Sequence, residues 1–314
     1  MTEMEERRSR LKASDFHPDV LRLFDQYVHG LIDRRGFLER ATRFTVAGGS
    51  ALALLEALSP RFAEAQQVAP QDKRLHAEYV ELPSPHGYGK MRGYLVKPAK
   101  VTTKLPTVLV VHENRGLNPH IEDVTRRLAL EQFMAFAPDA LFPLGGYPGD
   151  EDKARELFAK LDQDKTREDF VAAAKFLKQQ PEGNGRLGVV GFCYGGGVAH
   201  YLATRLPDLD AAVPFYGMAP EPQKAQAVKA PLLVHLAEQD ERINTAWPAY
   251  EAALKAARVK FEVFKYPGTQ HGFHNDTTPR YDEKAAKLAW QRTLALFNRT
   301  LRKPAPHPAS DNPY

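Results

Sequence analysis

Eleven residues, Leu187-Gly-Val-Val-Gly-Phe-Cys193-Tyr-Gly-Gly-Gly197, constrain this chain more than any other stretch. An apolar run ends at Gly191, the chain's one cysteine follows, and three glycines open what reads as a helix. A strand that turns sharply into a helix holds the residue at its tip in strained backbone, so the neighbours must be small. Gly191 and Gly195 fill the flanking positions, and Gly196 and Gly197 let the helix pack close to a sheet. A sulfur at such a tip lies at a helix N-terminus, where the dipole favours thiolate. A free cysteine is more often a buried, inert hydrophobe, so a chemical reading needs partners elsewhere in the chain.

The flanking pattern alternates strands with helices. Ala77–Leu82 and Met91–Val96 alternate in polarity around a Pro/Gly-rich turn and predict a β-hairpin. Pro106–His112 is a continuous apolar run, as expected of a strand buried on both faces. Further strands are predicted at Phe133–Pro138, Leu187–Phe192, Ala211–Tyr216, Pro231–Leu236 and Phe261–Tyr266. Helices are predicted from Pro119, over Glu151–Leu161, Thr166–Gln179 and Tyr194–Arg205, and near Thr245–Ala257 and Tyr281–Leu301. This order argues for a mostly parallel sheet with helices on both faces, an α/β domain over residues 75–302. The Pro-rich, polar tail at 303–314 is expected to be disordered.

Composition narrows the function classes. The net charge is +4 and no Lys/Arg block reaches five residues, so nucleic acid is not an expected partner. One cysteine excludes an intramolecular disulfide. His271 and His274 stand three apart, but no further ligand completes a metal signature, so neither metal nor cofactor is expected.

Residues 1–65 form a separate N-terminal extension. A helical pattern runs from Pro18 to Leu31, followed by Asp33-Arg34-Arg35-Gly36-Phe37-Leu38-Glu39, a small-residue apolar stretch from Phe44 to Leu58, and Ala63-Glu64-Ala65. Paired arginines before Phe-Leu, a weakly hydrophobic core and an A-x-A site resemble a twin-arginine export signal, with cleavage expected after Ala65. Asp33, Glu39 and Glu56 depart from that pattern. The stretch is too short and too interrupted for a stable membrane span. Export machinery and a periplasmic location are therefore the expectation, and a retained cytoplasmic helical extension is the alternative.

Partners for the thiol lie downstream. The strand–nucleophile–helix turn is the elbow of the α/β-hydrolases, with Cys in place of Ser, and in that fold the order is nucleophile, acid, histidine. Asp240, in the loop after the strand Pro231–Leu236, is the expected acid, with Glu238 and Glu241 as rivals. His271, set between Gly268 and Gly272 after the last strand, is the expected base. His271 would take the thiol proton and later activate water, and Asp240 would fix its tautomer. The loop His112-Glu113-Asn114-Arg115-Gly116 follows a buried strand, which assigns the backbone N–H groups of Asn114 and Tyr194 to an oxyanion hole.

Together these residues resemble the dienelactone hydrolase family (carboxymethylenebutenolidases) over about Glu78 to Phe297. The motifs are the 112–116 loop, Pro138-Asp139, Gly191–Gly197, the Asp240 loop and His271-Gly-Phe273. The resemblance implies a Cys193–His271–Asp240 triad, hydrolysis of an ester or lactone through a thioester, no cofactor, and a resting contact between Glu113 and the thiol. The resemblance implies that members opening dienelactones hold the substrate carboxylate with an arginine just after the Pro-Asp motif and with a serine and an arginine just after the catalytic histidine. Here those regions read Ala-Leu-Phe142-Pro and Gly-Phe273-His-Asn275, without arginine. A different or broader substrate, such as a neutral ester, follows, in a pocket lined by Phe142, Tyr147, Tyr194, Tyr216 and Phe273. A peptidase or acyl-transferase on this fold, and a non-catalytic protein in which Cys193 senses oxidant, are the alternatives.

Overall fold

The computed structural model describes residues 11–45 and 49–302. The expected tail, the first ten residues and the 46–48 part of the apolar stretch lie outside them. All eight predicted strands form one sheet in the order β1-β2-β4-β3-β5-β6-β7-β8. Their ranges are β1 Leu75–Ser84, β2 Gly89–Pro98, β3 Leu105–Val111, β4 Met134–Pro138, β5 Gly183–Phe192, β6 Ala211–Phe215, β7 Leu232–Gln239 and β8 Phe261–Gln270. The hairpin β1–β2 joins β4 antiparallel, and the six strands from β4 to β8 run parallel. Every residue of β3, β4 and β6 is buried, which is why these strands read as unbroken apolar runs.

Ten α-helices complete the described chain. Four lie in the N-terminal extension: α1 Pro18–Val28, α2 Arg34–Ala41, α3 Ala51–Leu58 and α4 Phe62–Ala65. The others are α5 Pro119–Leu130, α6 Glu151–Phe158, α7 Gln163–Lys178, α8 Tyr194–Arg205, α9 Glu241–Ala256 and α10 Glu283–Leu301. One face of the sheet packs Leu109, Val189 and Val234 against apolar residues of α7, α8 and α9. The other packs Val110, Val190 and Val213 against those of α5 and α10. This is the mostly parallel, two-faced sheet of the α/β-hydrolase fold. Three boundaries near the site differ from expectation. Strands β7 and β8 run three and four residues further than predicted, and α9 starts four residues earlier. Asp240 therefore follows β7 directly and caps α9, its Oδ1 accepting from the Ile243 N–H at 3.4 Å.

The extension is a folded layer with its own apolar core, built from α1, α2 and α3 around Phe24, Tyr27, Phe37 and Leu58. Its attachment to the sheet domain is largely polar. The carbonyls at the C-terminus of α1, which no intrahelical donor can reach, are satisfied by the domain. Arg155 Nη1 donates to Tyr27 O at 2.6 Å, and Asn114 Nδ2 and Arg115 Nη1 donate to Val28 O at 2.9 and 3.3 Å. Cations at a helix C-terminus also complement its dipole. Tyr27 Oη donates to Asp152, and Arg34 pairs with the same carboxylate at 2.9 Å. The outgoing chain is held by Asp123, which accepts from the Gln67 and Val68 N–H groups. Asp33, which departs from the export pattern, caps α2 by accepting from Gly36 N at 2.7 Å, and Glu39 pairs with Arg35. No helix among the described residues is long and apolar enough to cross a membrane.

Candidate active site

The C-terminal ends of β3, β5, β7 and β8 deliver the 112–116 loop, Cys193, Asp240 and His271 to one edge of the sheet. In open parallel sheets this edge is where ligands bind. Cys193 stands between β5 and α8 with φ 54° and ψ −113°, a left-handed-side conformation that a side chain adopts only under constraint. The glycines explain how the turn is accommodated. A Cβ on Gly191 would overlap the Gly195 carbonyl, and one on Gly195 would overlap the Val111 carbonyl of β3. Gly196 is equally tight against Phe215 O, whereas Gly197 has ordinary contact distances and does not serve close packing.

His271 Nδ1 and Asp240 Oδ2 lie 2.5 Å apart, both side chains almost fully buried. The carboxylate fixes the ring, which leaves Nε2 to face the site, and that buried nitrogen has no hydrogen-bond partner among the described residues. Burial disfavours the imidazolium, but Cys193 and Asp240 outweigh it and raise the His271 pKa to about 10. Burial likewise opposes ionisation of the thiol, but the His271 charge first, and then the contact with His29, draw it down to about 6. The two shifts describe one coupled pair, a thiolate facing an imidazolium at neutral pH.

The resting neighbour of the sulfur differs from the expected one. Glu113 Oε2 accepts from Asn275 Nδ2 at 2.9 Å. The contact to Cys193 Sγ is made instead by His29 Nε2, at 3.5 Å, from the residue that caps α1. His29 Nδ1 meets the Asp25 main-chain oxygen at 2.8 Å and the Asp25 carboxylate at 3.3 Å. Arg280 pairs with Asp25 at 3.3 Å, and Arg242 Nη2 donates to His29 Nε2 at 3.0 Å. Burial would lower the His29 pKa, but Asp25 and Cys193 reverse the direction and raise it. The His29 and His271 rings meet edge-on, 4.7 Å between centroids. No motif near Cys193 announces His29. The available signal was Asp25 and His29 at i, i+4 on an amphipathic helix, and nothing in it points to a cysteine 164 residues away.

A cleft of about 370 Å³ opens over Cys193 and His271, within the range of small-molecule sites. Its walls correct the expected aromatic set. Tyr147 lines it, bonded to Glu151 at 2.8 Å. Phe142 instead sits beneath the Arg92 guanidinium, and Phe273 is buried core. Tyr216 is also buried, its ring 5.0 Å from His271 behind the base, and Tyr194 packs on Phe158. The extension supplies the missing aromatic wall as Phe24, Tyr27 and Phe62. Arginines absent from the two motif loops enter from elsewhere, as Arg34, Arg115 and Arg280, faced by Glu113, Glu151 and Asp152. The 112–116 loop is held from below, where His112 Nε2 accepts from Ala140 N at 3.1 Å. Tyr194 is the first residue of α8, so its N–H has no intrahelical acceptor.

Comparison with known proteins places this geometry. Residues 91–301 match the dienelactone hydrolase family, and residues 8–47 match a family described as YqhI-like. A candidate carboxymethylenebutenolidase of Saccharolobus solfataricus is 32% identical over 248 residues, covering 67% of this chain and 94% of its own length. The candidate hydrolase fragment YghX of Escherichia coli is 57% identical over 113 residues, covering 36% of this chain and 97% of the fragment. A crystal structure of a candidate dienelactone hydrolase from Klebsiella pneumoniae superposes with a TM-score of 0.63 at 31% identity, covering 71% of this chain and 99% of that one.

Proposed function

The chain belongs to the dienelactone hydrolase family, and we propose that it hydrolyses a carboxylic ester or lactone through a thioester on Cys193. The observation that carries this reading is the buried His271–Asp240 pair at 2.5 Å, with the free His271 Nε2 and Cys193 sharing one cleft. The thiolate attacks the acyl carbon, and the developing oxyanion is received by the N–H groups of Asn114 and Tyr194. Such a donor contributes about 2.7–4 kcal/mol to the transition state. On collapse the alcohol oxygen leaves with the proton from His271. His271 then removes a proton from water, which attacks the thioester, and the carboxylic acid and thiolate separate.

The test is turnover of p-nitrophenyl acetate and simple enol lactones by wild type, Cys193→Ala and His271→Ala. Both variants should fall near the uncatalysed rate while remaining folded by circular dichroism, with His271→Ala the less stable of the two because it leaves Asp240 buried without its partner. Equal rates in all three would reject covalent catalysis. An oxidant-sensing or binding role would leave those rates at background in the wild type as well.

Export by a twin-arginine route stands as a separate proposal about the extension. Cleavage after Ala65 would take His29 and Asp25 away from the mature site. N-terminal sequencing of protein from its native host decides the point: a mature chain beginning at Gln66 establishes export, and one retaining α1 establishes a three-sided site.

A further inference from the structure

We propose that His29, Cys193 and His271 form a zinc-binding site in which the metal ties the N-terminal extension to the catalytic pair and reversibly blocks it. The three ligand atoms lie within 4.8 Å of one another. His29 Nε2 and Cys193 Sγ are 3.5 Å apart, which equals the edge of about 3.5 Å that tetrahedral zinc sets between a sulfur and an imidazole nitrogen. Bringing His271 to tetrahedral edges from both other ligands needs at most about 1.5 Å of side-chain movement. One thiolate with two imidazoles is a donor set suited to zinc, and three protein ligands leave the fourth position to water.

The surroundings supply independent support. His271 Nε2 is a buried nitrogen without a hydrogen-bond partner among the described residues, turned into the site. Both histidines have the other ring nitrogen on an acidic residue, His271 Nδ1 on Asp240 at 2.5 Å and His29 Nδ1 on the Asp25 carbonyl and carboxylate. This is the arrangement that orients metal-bound histidines and raises their basicity. The Cys193 thiolate and the Asp240 and Asp25 carboxylates supply negative charge around the cluster, part of which Arg280 already offsets at Asp25.

One group competes. Arg242 Nη2 donates to the His29 Nε2 lone pair at 3.0 Å, so a metal must displace that bond. Binding therefore exchanges an arginine hydrogen bond and the proton held by the Cys193–His271 pair, released to solvent, for three metal–ligand bonds at His29, Cys193 and His271. The bound sulfur no longer has a free electron pair in-line for attack on an acyl carbon, and α1 is fixed over the cleft.

Zinc chloride titrated into the full-length, chelator-treated protein by calorimetry tests the proposal without reference to turnover. The expected result is one zinc per chain. His29→Gln should weaken binding by about a hundredfold or more, and Asp25→Asn by about 10–100-fold. Arg242→Gln should tighten it several-fold, a gain that misfolding cannot produce. Cobalt(II) should give a sulfur-to-metal charge-transfer band that is lost in Cys193→Ser and altered in His29→Gln. Absence of stoichiometric zinc, or equal affinity in wild type and His29→Gln, overturns the three-ligand site. Zinc binding by a protein that shows no esterase activity even when chelator-treated would leave this inference standing and remove the hydrolase reading instead.

Discussion

His271 and His29 each turn an imidazole toward Cys193, and each has its other ring nitrogen on an acidic residue. Their supports differ. His271 follows β8 and is held by a carboxylate that itself follows β7 and caps α9, so three elements of the central sheet domain fix it. His29 ends a helix whose apolar core is separate from both faces of the sheet. It reaches the sulfur through polar contacts at Val28, Tyr27, Asp25 and Arg34, each contributing about 0.5–1.5 kcal/mol net. One imidazole is therefore built into the fold, and the other is present only while the extension is docked. A catalytic group belongs on the first kind of support, where geometry is fixed at no recurring cost. A controlling group suits the second.

The contrast can be broken most forcefully by activity. His271→Ala should lower kcat/KM for an ester by about 10⁴-fold or more. His29→Ala, assayed with chelator present, should lower it by about tenfold or less, because a second imidazole near a thiolate adds only part of the electrostatic stabilisation. Comparable losses in the two variants would mean that the extension is part of the chemistry itself.

The rigidity of the sheet side is tested by stability. Gly195→Ala places a methyl on the β3 carbonyl and should cost about 3 kcal/mol or more by thermal or denaturant unfolding. Gly197→Ala, where the nearest atom is 3.6 Å away, should be within about 0.5 kcal/mol of wild type.

Thiol titration gives a smaller, signed difference. Alkylation of Cys193 should rise with pH through a midpoint of about 6, well below the ordinary 9. Because a neighbouring imidazolium favours thiolate, removing it must move that midpoint upward. The upward move should be larger in His271→Ala than in His29→Ala, and the reverse order would exchange the roles assigned to the two histidines. At the small end, Tyr27→Phe removes one docking hydrogen bond to Asp152. It should speed proteolysis within residues 11–65 while lowering stability by about 1 kcal/mol or less.

The sheet domain was legible because its signals are local. Continuous apolar runs identify strands buried on both faces, and glycines around Cys193 identify a turn with no room for side chains. The order of Cys193, Asp240 and His271 along the sheet edge follows from strand order, so the meeting of Asp240 with His271 was legible in the sequence. The misplacements are of side chains whose fate depends on tertiary direction. Phe142, Tyr216 and Phe273 sit near the right loops but point to Arg92 or into the core. Glu113 has the expected position in its loop and a different partner, Asn275. His29 was invisible because the docking of one layer on another is written in dispersed polar contacts, with no periodicity or spacing to betray it. The three residues that weaken an export pattern acquire different explanations in the fold: Asp33 caps α2, Glu39 pairs with Arg35, and Glu56 lies within the short helix α3.

The most direct test of the account is to trap the acyl-enzyme. Full-length protein mixed with p-nitrophenyl acetate and quenched with acid during the first turnover should yield, by peptide mass mapping, an acetyl group on Cys193 in the wild type and none in Cys193→Ala. Turnover that proceeds with no acetyl on Cys193, or with the adduct on another residue, would contradict it.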